Sequence, residues 1–121
     1  MAKIVVVDDS EIIRFQLAED LSAAGHEVLQ AVDGLNGLEV IRDNEDIKLI
    51  ICDVNMPEMD GITMCEQLSK DDTRNKIPIV MLTTQNSPEM KAKGKQYGVV
   101  AWVTKPYKAA ALLGGVNKLV G

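Results

Sequence analysis

Cysteine is scarce in this 121-residue chain: only Cys52 and Cys65 occur, at a spacing that suits neither a metal site nor a redox pair. Both lie in apolar segments and read as core or half-buried thiols of a reducing compartment. There is a single histidine, His26, read as a loop residue between the first helix and the second strand. Zinc is therefore left without a nitrogen and sulfur donor set. No apolar run approaches the ~20 residues of a membrane span. No apolar segment with a cleavage site precedes the first strand either, so a cytoplasmic protein with no membrane partner is expected. Basic residues are outnumbered, giving a net charge of −5 at pH 7. That argues against a nucleic-acid surface, which needs a clustered basic footprint. Lys91, Lys93 and Lys95 form the one local basic group and read as solvated helix positions, with a protein-docking face as the alternative.

What the chain does contain is regular alternation. Its length suits one domain able to bury roughly two thirds of its unfolded surface. Short β-branched runs predict strands at Lys3–Val7, Glu27–Ala31, Leu49–Cys52, Ile77–Leu82 and Val99–Val103. The first, third and fourth are almost wholly apolar, as parallel strands covered on both faces are, and the less apolar second suits a place nearer an edge. Helices are expected between them. Ile13, Leu17 and Leu21 share a face from about Glu11 to Ala24, which Gly25 ends. Leu38 and Ile41 mark a short second helix. Asp60 caps a third with Ile62, Cys65 and Leu68 inward, and Ser87-Pro88-Glu89 starts a fourth that Gly98 closes. A fifth, from about Lys108 to Leu119, would bury Leu112, Val116 and Leu119, and Gly114-Gly115 weaken its middle unless close packing uses them. Five βα repeats with right-handed crossovers make an α/β fold: one parallel sheet with helices on both faces.

Ligands of such sheets bind beyond the carboxyl ends of the strands. The first strand ends in Asp8-Asp9-Ser10, the third in Asp53, the fourth in Thr83-Thr84 and the fifth in Thr104-Lys105-Pro106. Each alone could be turn or capping chemistry. Together they bring carboxylates, a hydroxyl and an ammonium to one rim. Clustered carboxylates raise one another's proton affinity, and a hard cation such as Mg²⁺ relieves this with oxygen ligands and waters. Such a metal, Lys105 and Thr83 would form a pocket for a phosphoryl group, and a carboxylate could attack phosphorus. These residues do not say which carboxylate is attacked.

The stretches IVVVDDS, ICDVNMPEMDG, IVMLTT and VAWVTKPY, spread over nearly the whole chain, resemble the receiver domain of two-component response regulators, most of all the stand-alone chemotaxis type. The resemblance implies a flavodoxin-like, doubly wound (βα)5 three-layer sandwich with strand order 2-1-3-4-5, filling residues 1–121. It implies that Asp53 is the phosphoacceptor and that Asp9, Asp53 and the backbone carbonyl of Asn55 hold Mg²⁺, with Asp8 acting through a water. It places Lys105 on the phosphoryl oxygens, ahead of a cis bond to Pro106. Thr83 and Trp102 become the switch pair, with Thr84 and Gln85 flanking the route of attacking water. Implied partners are a histidine kinase and a downstream target, either a flagellar motor component or another signalling protein, docking on the face of the fourth helix, fifth strand and fifth helix. Four positions depart from the usual pattern. Trp102 stands for tyrosine or phenylalanine, Thr84 for a small residue, Tyr107 for phenylalanine and Gly37 for alanine.

The expected activity is self-catalysed phosphorylation from a donor and self-catalysed dephosphorylation. Four other readings compete. An aspartate-nucleophile phosphohydrolase needs a second acid two residues after the nucleophile, where Asn55 stands. A flavodoxin-like electron carrier would meet repulsion between Asp8-Asp9 and a flavin phosphate. A purely structural interaction domain leaves the intact site residues unexplained. The chain could also be the receiver piece of a longer regulator with an output domain.

Overall fold

The computed structural model of the protein describes residues 2–121. Five strands alternate with five helices: β1 (Lys3–Val7), α1 (Glu11–Ala23), β2 (Glu27–Ala31), α2 (Gly34–Arg42), β3 (Ile47–Cys52), α3 (Gly61–Ser69), β4 (Ile79–Thr83), α4 (Pro88–Gln96), β5 (Val99–Thr104) and α5 (Ala109–Val120). The strands form one parallel sheet in the order β2-β1-β3-β4-β5. This is the doubly wound, flavodoxin-like arrangement that the apolar runs and the resemblance foretell. No helix among the described residues is long and apolar enough to cross a membrane.

Alternating side chains of the central strands feed two cores, one on each sheet face. Val5, Val7, Ile50, Cys52 and Met81 pack with Leu38, Ile41, Met64, Cys65 and Leu68 of α2 and α3. Ile4, Val6, Leu49, Ile51, Val80 and Leu82 pack with Leu17 and Leu21 of α1 and Leu112 and Val116 of α5. α3 and α4 begin at the expected caps Asp60 and Ser87, and Ser10 and Asp33, not singled out as caps in the sequence, cap α1 and α2 in the same way. Ser10, Asp33, Asp60 and Ser87 accept from the backbone N–H three residues on and satisfy one otherwise unpaired donor each.

Several boundaries shift. β3 begins at Ile47 and not Leu49, because Ile47 still pairs with Lys3 across a register irregularity. β4 begins at Ile79 and not Ile77, since Pro78 has no N–H to offer the ladder and serves it only as an acceptor for Ile50. The strand then runs on to Thr83, and β5 on to Thr104. Leu119, expected inside, is 37% exposed. Gly37 has a reason that its helix propensity hides: a Cβ there would stand 2.7 Å from Met64 Sδ and 3.1 Å from Val7 Cγ1. Glycine thus lets α2 settle on α3 and β1. Gly114 and Gly115 face open space, so close packing does not explain them.

Candidate functional site

β1 is paired on both sides, by β2 and by β3, so the residues that follow Val7 and Cys52 emerge side by side. Carboxylate oxygens of Asp8, Asp9 and Asp53 all lie within 4.8 Å of one another. Asp8 is 2% exposed and Asp53 7%, whereas Asp9 is open to solvent. Each buried carboxylate is gripped at both oxygens. Asp8 Oδ1 accepts from the Ser10 N–H at 2.9 Å and Oδ2 from Lys105 Nζ at 2.9 Å. Asp53 Oδ1 accepts from the Val54 N–H at 2.6 Å and Oδ2 from Lys105 Nζ at 2.8 Å. The Lys105 stem reaches the cluster from the end of β5, where its backbone N–H donates to the Thr83 carbonyl at 2.9 Å. The Lys105–Pro106 bond is cis.

Three carboxylates against one ammonium leave the cluster two negative charges in excess. An oxygen-only donor set with that imbalance fits a hard divalent cation, and no buried His or Cys nitrogen or sulfur competes for it within the cluster.

Residues 4–117 match the family of the response regulator receiver domain. The chain belongs to this family. It is 33% identical over 120 residues to protein PilH of Pseudomonas aeruginosa, an alignment covering 99% of this chain and 98% of that one. It is likewise 33% identical over 120 residues to chemotaxis protein CheY1 of Helicobacter pylori, covering 98% and 97%. The crystal structure of chemotaxis protein CheY4 of Vibrio cholerae superposes with a TM-score of 0.92 at 38% identity, covering 98% of both chains. The protein thus carries a receiver like those of the chemotaxis regulators, a phosphoaccepting element of two-component signalling that gains and loses its phosphoryl group at the acid cluster.

Electrostatics of the receiver site follow from burial. Desolvation raises the Asp8 pKa, although the Ser10 N–H and the Lys105 ammonium both pull against it. Burial would lower that of Lys105, but hydrogen bonds to Asp53 and Asp8 outweigh it and the ammonium is held charged. Desolvation also pushes the Cys65 thiol up to about 12, and that of Cys52 well above its usual value, so both are inert in the core. His26 is partly buried in the α1–β2 loop, where Nδ1 accepts from the Ala2 N–H at 3.2 Å.

Thr83 and Trp102, the expected switch pair, are connected through the β4–α4 loop. Thr83 is fully buried, and its Oγ1 accepts from the Gln85 N–H at 3.2 Å. The Gln85 carbonyl in turn accepts from the Trp102 indole at 2.8 Å. Trp102 is half-buried against α4, where a Cβ on Gly94 would stand 3.1 Å from its ring. Thr84 and Pro106 are exposed. Asn55 is exposed as well and, among the described residues, makes no side-chain hydrogen bond to the acids; it borders a cleft of about 270 Å³ with Asp60 of the α3 cap and Lys93 of α4.

Three features of the site escape a reading of the sequence. A Cβ on Gly61 would collide with the Asp53 carbonyl oxygen and stand 3.0 Å from Cys52 Sγ, so only glycine lets α3 start against the acid-bearing backbone. The Asp60-Gly61 pair signals a turn but not this approach. Arg14 Nη1 donates to the Asp8 carbonyl at 2.9 Å and ties α1 to the mouth of β1. The Tyr107 hydroxyl donates to Asp20 Oδ2 at 2.7 Å. No local pattern announces these last two.

Proposed function

We propose that Asp53 is the phosphoacceptor and that the chain is a switch loaded by a histidine kinase. The observation that carries this reading is the Asp53 carboxylate itself, nearly buried at the mouth of β3 with an ammonium 2.8 Å away. Mg²⁺ would be held by Asp9 and Asp53 with the Asn55 backbone carbonyl, and by Asp8 through water. Bound there, it would offset the acids' excess charge and that of the incoming phosphoryl oxygens. A carboxylate oxygen of Asp53 forms the new O–P bond as the N–P bond to the kinase's phosphohistidine breaks, and the imidazole departs. Lys105 then turns from Asp53 Oδ2 to a phosphoryl oxygen, and the Thr83 hydroxyl donates to another. Water later cleaves the acyl phosphate. Thr84, β-branched and exposed, narrows its approach beside Gln85 and Asn55.

The outward signal is a change at the face of α4, β5 and α5. Thr83 cannot move without disturbing the Gln85 peptide to which Trp102 is bonded, so the phosphoryl group biases the indole between two arrangements. A complete reversal of populations would take about 5.5 kcal/mol, so a partial shift completed by the target is expected. The target, a flagellar motor component or another signalling protein, would meet a groove of about 550 Å³ lined by Lys91, Lys95, Val100 and Trp102. Asp53→Ala is expected to abolish labelling by acetyl phosphate in Mg²⁺, followed by mass spectrometry of the intact chain. Labelling of that variant at the wild-type rate would remove the assignment.

A further inference from the structure

The turn that carries Lys105 to the acids has little polar anchoring of its own. α5 starts at Ala109 with no side-chain cap, since Lys108 makes no hydrogen bond there. Pro106 is exposed. Among the described residues, one side-chain hydrogen bond leaves segment 106–108: that from the Tyr107 hydroxyl to Asp20 Oδ2, a partner 87 positions away on α1. The Tyr107 ring packs into the core between α1, α5 and the sheet. Burial first, and then the Asp20 carboxylate, push the phenol's pKa up, so it remains a donor.

α1 is itself bound to the site. Ser10 caps its first turn and donates its backbone N–H to Asp8, and Arg14 holds the Asp8 carbonyl. Contacts therefore close a circuit: Asp8 to Arg14, along α1 to Asp20, across to Tyr107, two residues back to Lys105, and from its ammonium to Asp8 again. A lysine is a point charge on a flexible stem, so its reach depends on where the backbone is pinned. Phenylalanine would fill the same apolar space without closing the circuit.

We propose that the Tyr107–Asp20 hydrogen bond positions Lys105 for phosphoryl transfer, which makes Tyr107 and Asp20 positioning residues. This rests on the reading of Lys105 as the group that meets the phosphoryl oxygens. The test compares the full chain with Tyr107→Phe, Asp20→Asn, Lys105→Ala and the Tyr107→Phe/Lys105→Ala double variant, labelled by acetyl phosphate with magnesium chloride over a range of donor concentrations. Tyr107→Phe and Asp20→Asn are each expected to lower the limiting rate by about three- to tenfold, as loss of one hydrogen bond's alignment implies, with the half-saturating donor concentration unchanged. Tyr107→Phe should cost nothing further once Lys105 is gone. The proposal is overturned if Tyr107→Phe and Asp20→Asn both label at the wild-type rate. It is also overturned if Tyr107→Phe slows labelling by the same factor with and without Lys105, which would mark a packing role. Wild-type labelling by Lys105→Ala alone would instead strike the underlying reading of the lysine.

Discussion

At Lys105 one ammonium serves two buried carboxylates, and neither bond is a surface ion pair of the kind that contributes almost nothing. Removing the lysine would strand charge that burial already penalises at Asp8. Tyr107, two residues on, shows the same logic with a neutral donor. Its phenol is pushed above the ordinary 10.0, by burial first and by Asp20 second. A phenol that ionises less readily in the folded chain than in the unfolded one stabilises the fold fully below that ordinary value. The contribution fades as pH climbs beyond it, because the unfolded chain sheds its proton first. The wild-type urea midpoint should therefore fall more steeply above about pH 10 than that of Tyr107→Phe, which has no phenol to ionise. Parallel declines would show that the hydroxyl is not held by Asp20 in solution.

Among the elements, α5 is the one whose composition fits its place least. Gly114 and Gly115 lie in the middle of its exposed flank with nothing within 4 Å of where a Cβ would go. No packing reason requires glycine there, so Gly114→Ala is expected to raise stability by about 1 kcal/mol through helix propensity and a less flexible unfolded chain. The urea midpoint should rise with the m-value unchanged; a fall would reveal a contact that this position makes only in solution. The other elements were legible mainly from period, because β1, β3 and β4 are buried on both faces, and the caps Asp60 and Ser87 of α3 and α4 are local signals. Strand starts were less so, since Ile47 and Ile79 owe their pairing to partners far along the chain. The acids and Lys105 could be found at strand ends because topology alone brings those ends together. Gly61, Arg14 and the Asp20–Tyr107 bond could not, since each depends on a distant backbone or side chain.

Across the whole molecule the charge is divided by the strand order. Residues 1–60 hold 14 acidic and 4 basic side chains, and residues 61–121 hold 4 and 9. The first segment supplies β1, β2 and β3 and the second β4 and β5, so one side of the sheet is acidic and the other, with its α4–β5 groove, is basic. The acid cluster sits at the ends of β1 and β3 within the acidic half, one strand from where the basic half begins, and that half adds to its negative potential. A bound divalent cation should then stabilise the entire fold, because it binds the assembled cluster and not the unfolded chain. At a hundred times its dissociation constant the gain would be about 2.7 kcal/mol. Asp9→Asn separates cause from effect: Asp9 is exposed, its carboxylate lies within 4.8 Å of those of Asp8 and Asp53, and under the proposed function it would repel them without the ion and ligate the ion when it is bound. Without magnesium, this variant should unfold at a higher urea concentration than wild type; with magnesium, wild type should overtake it. If magnesium raised both midpoints equally, the ion would be screening the acidic half at large, and the cluster would not be its site.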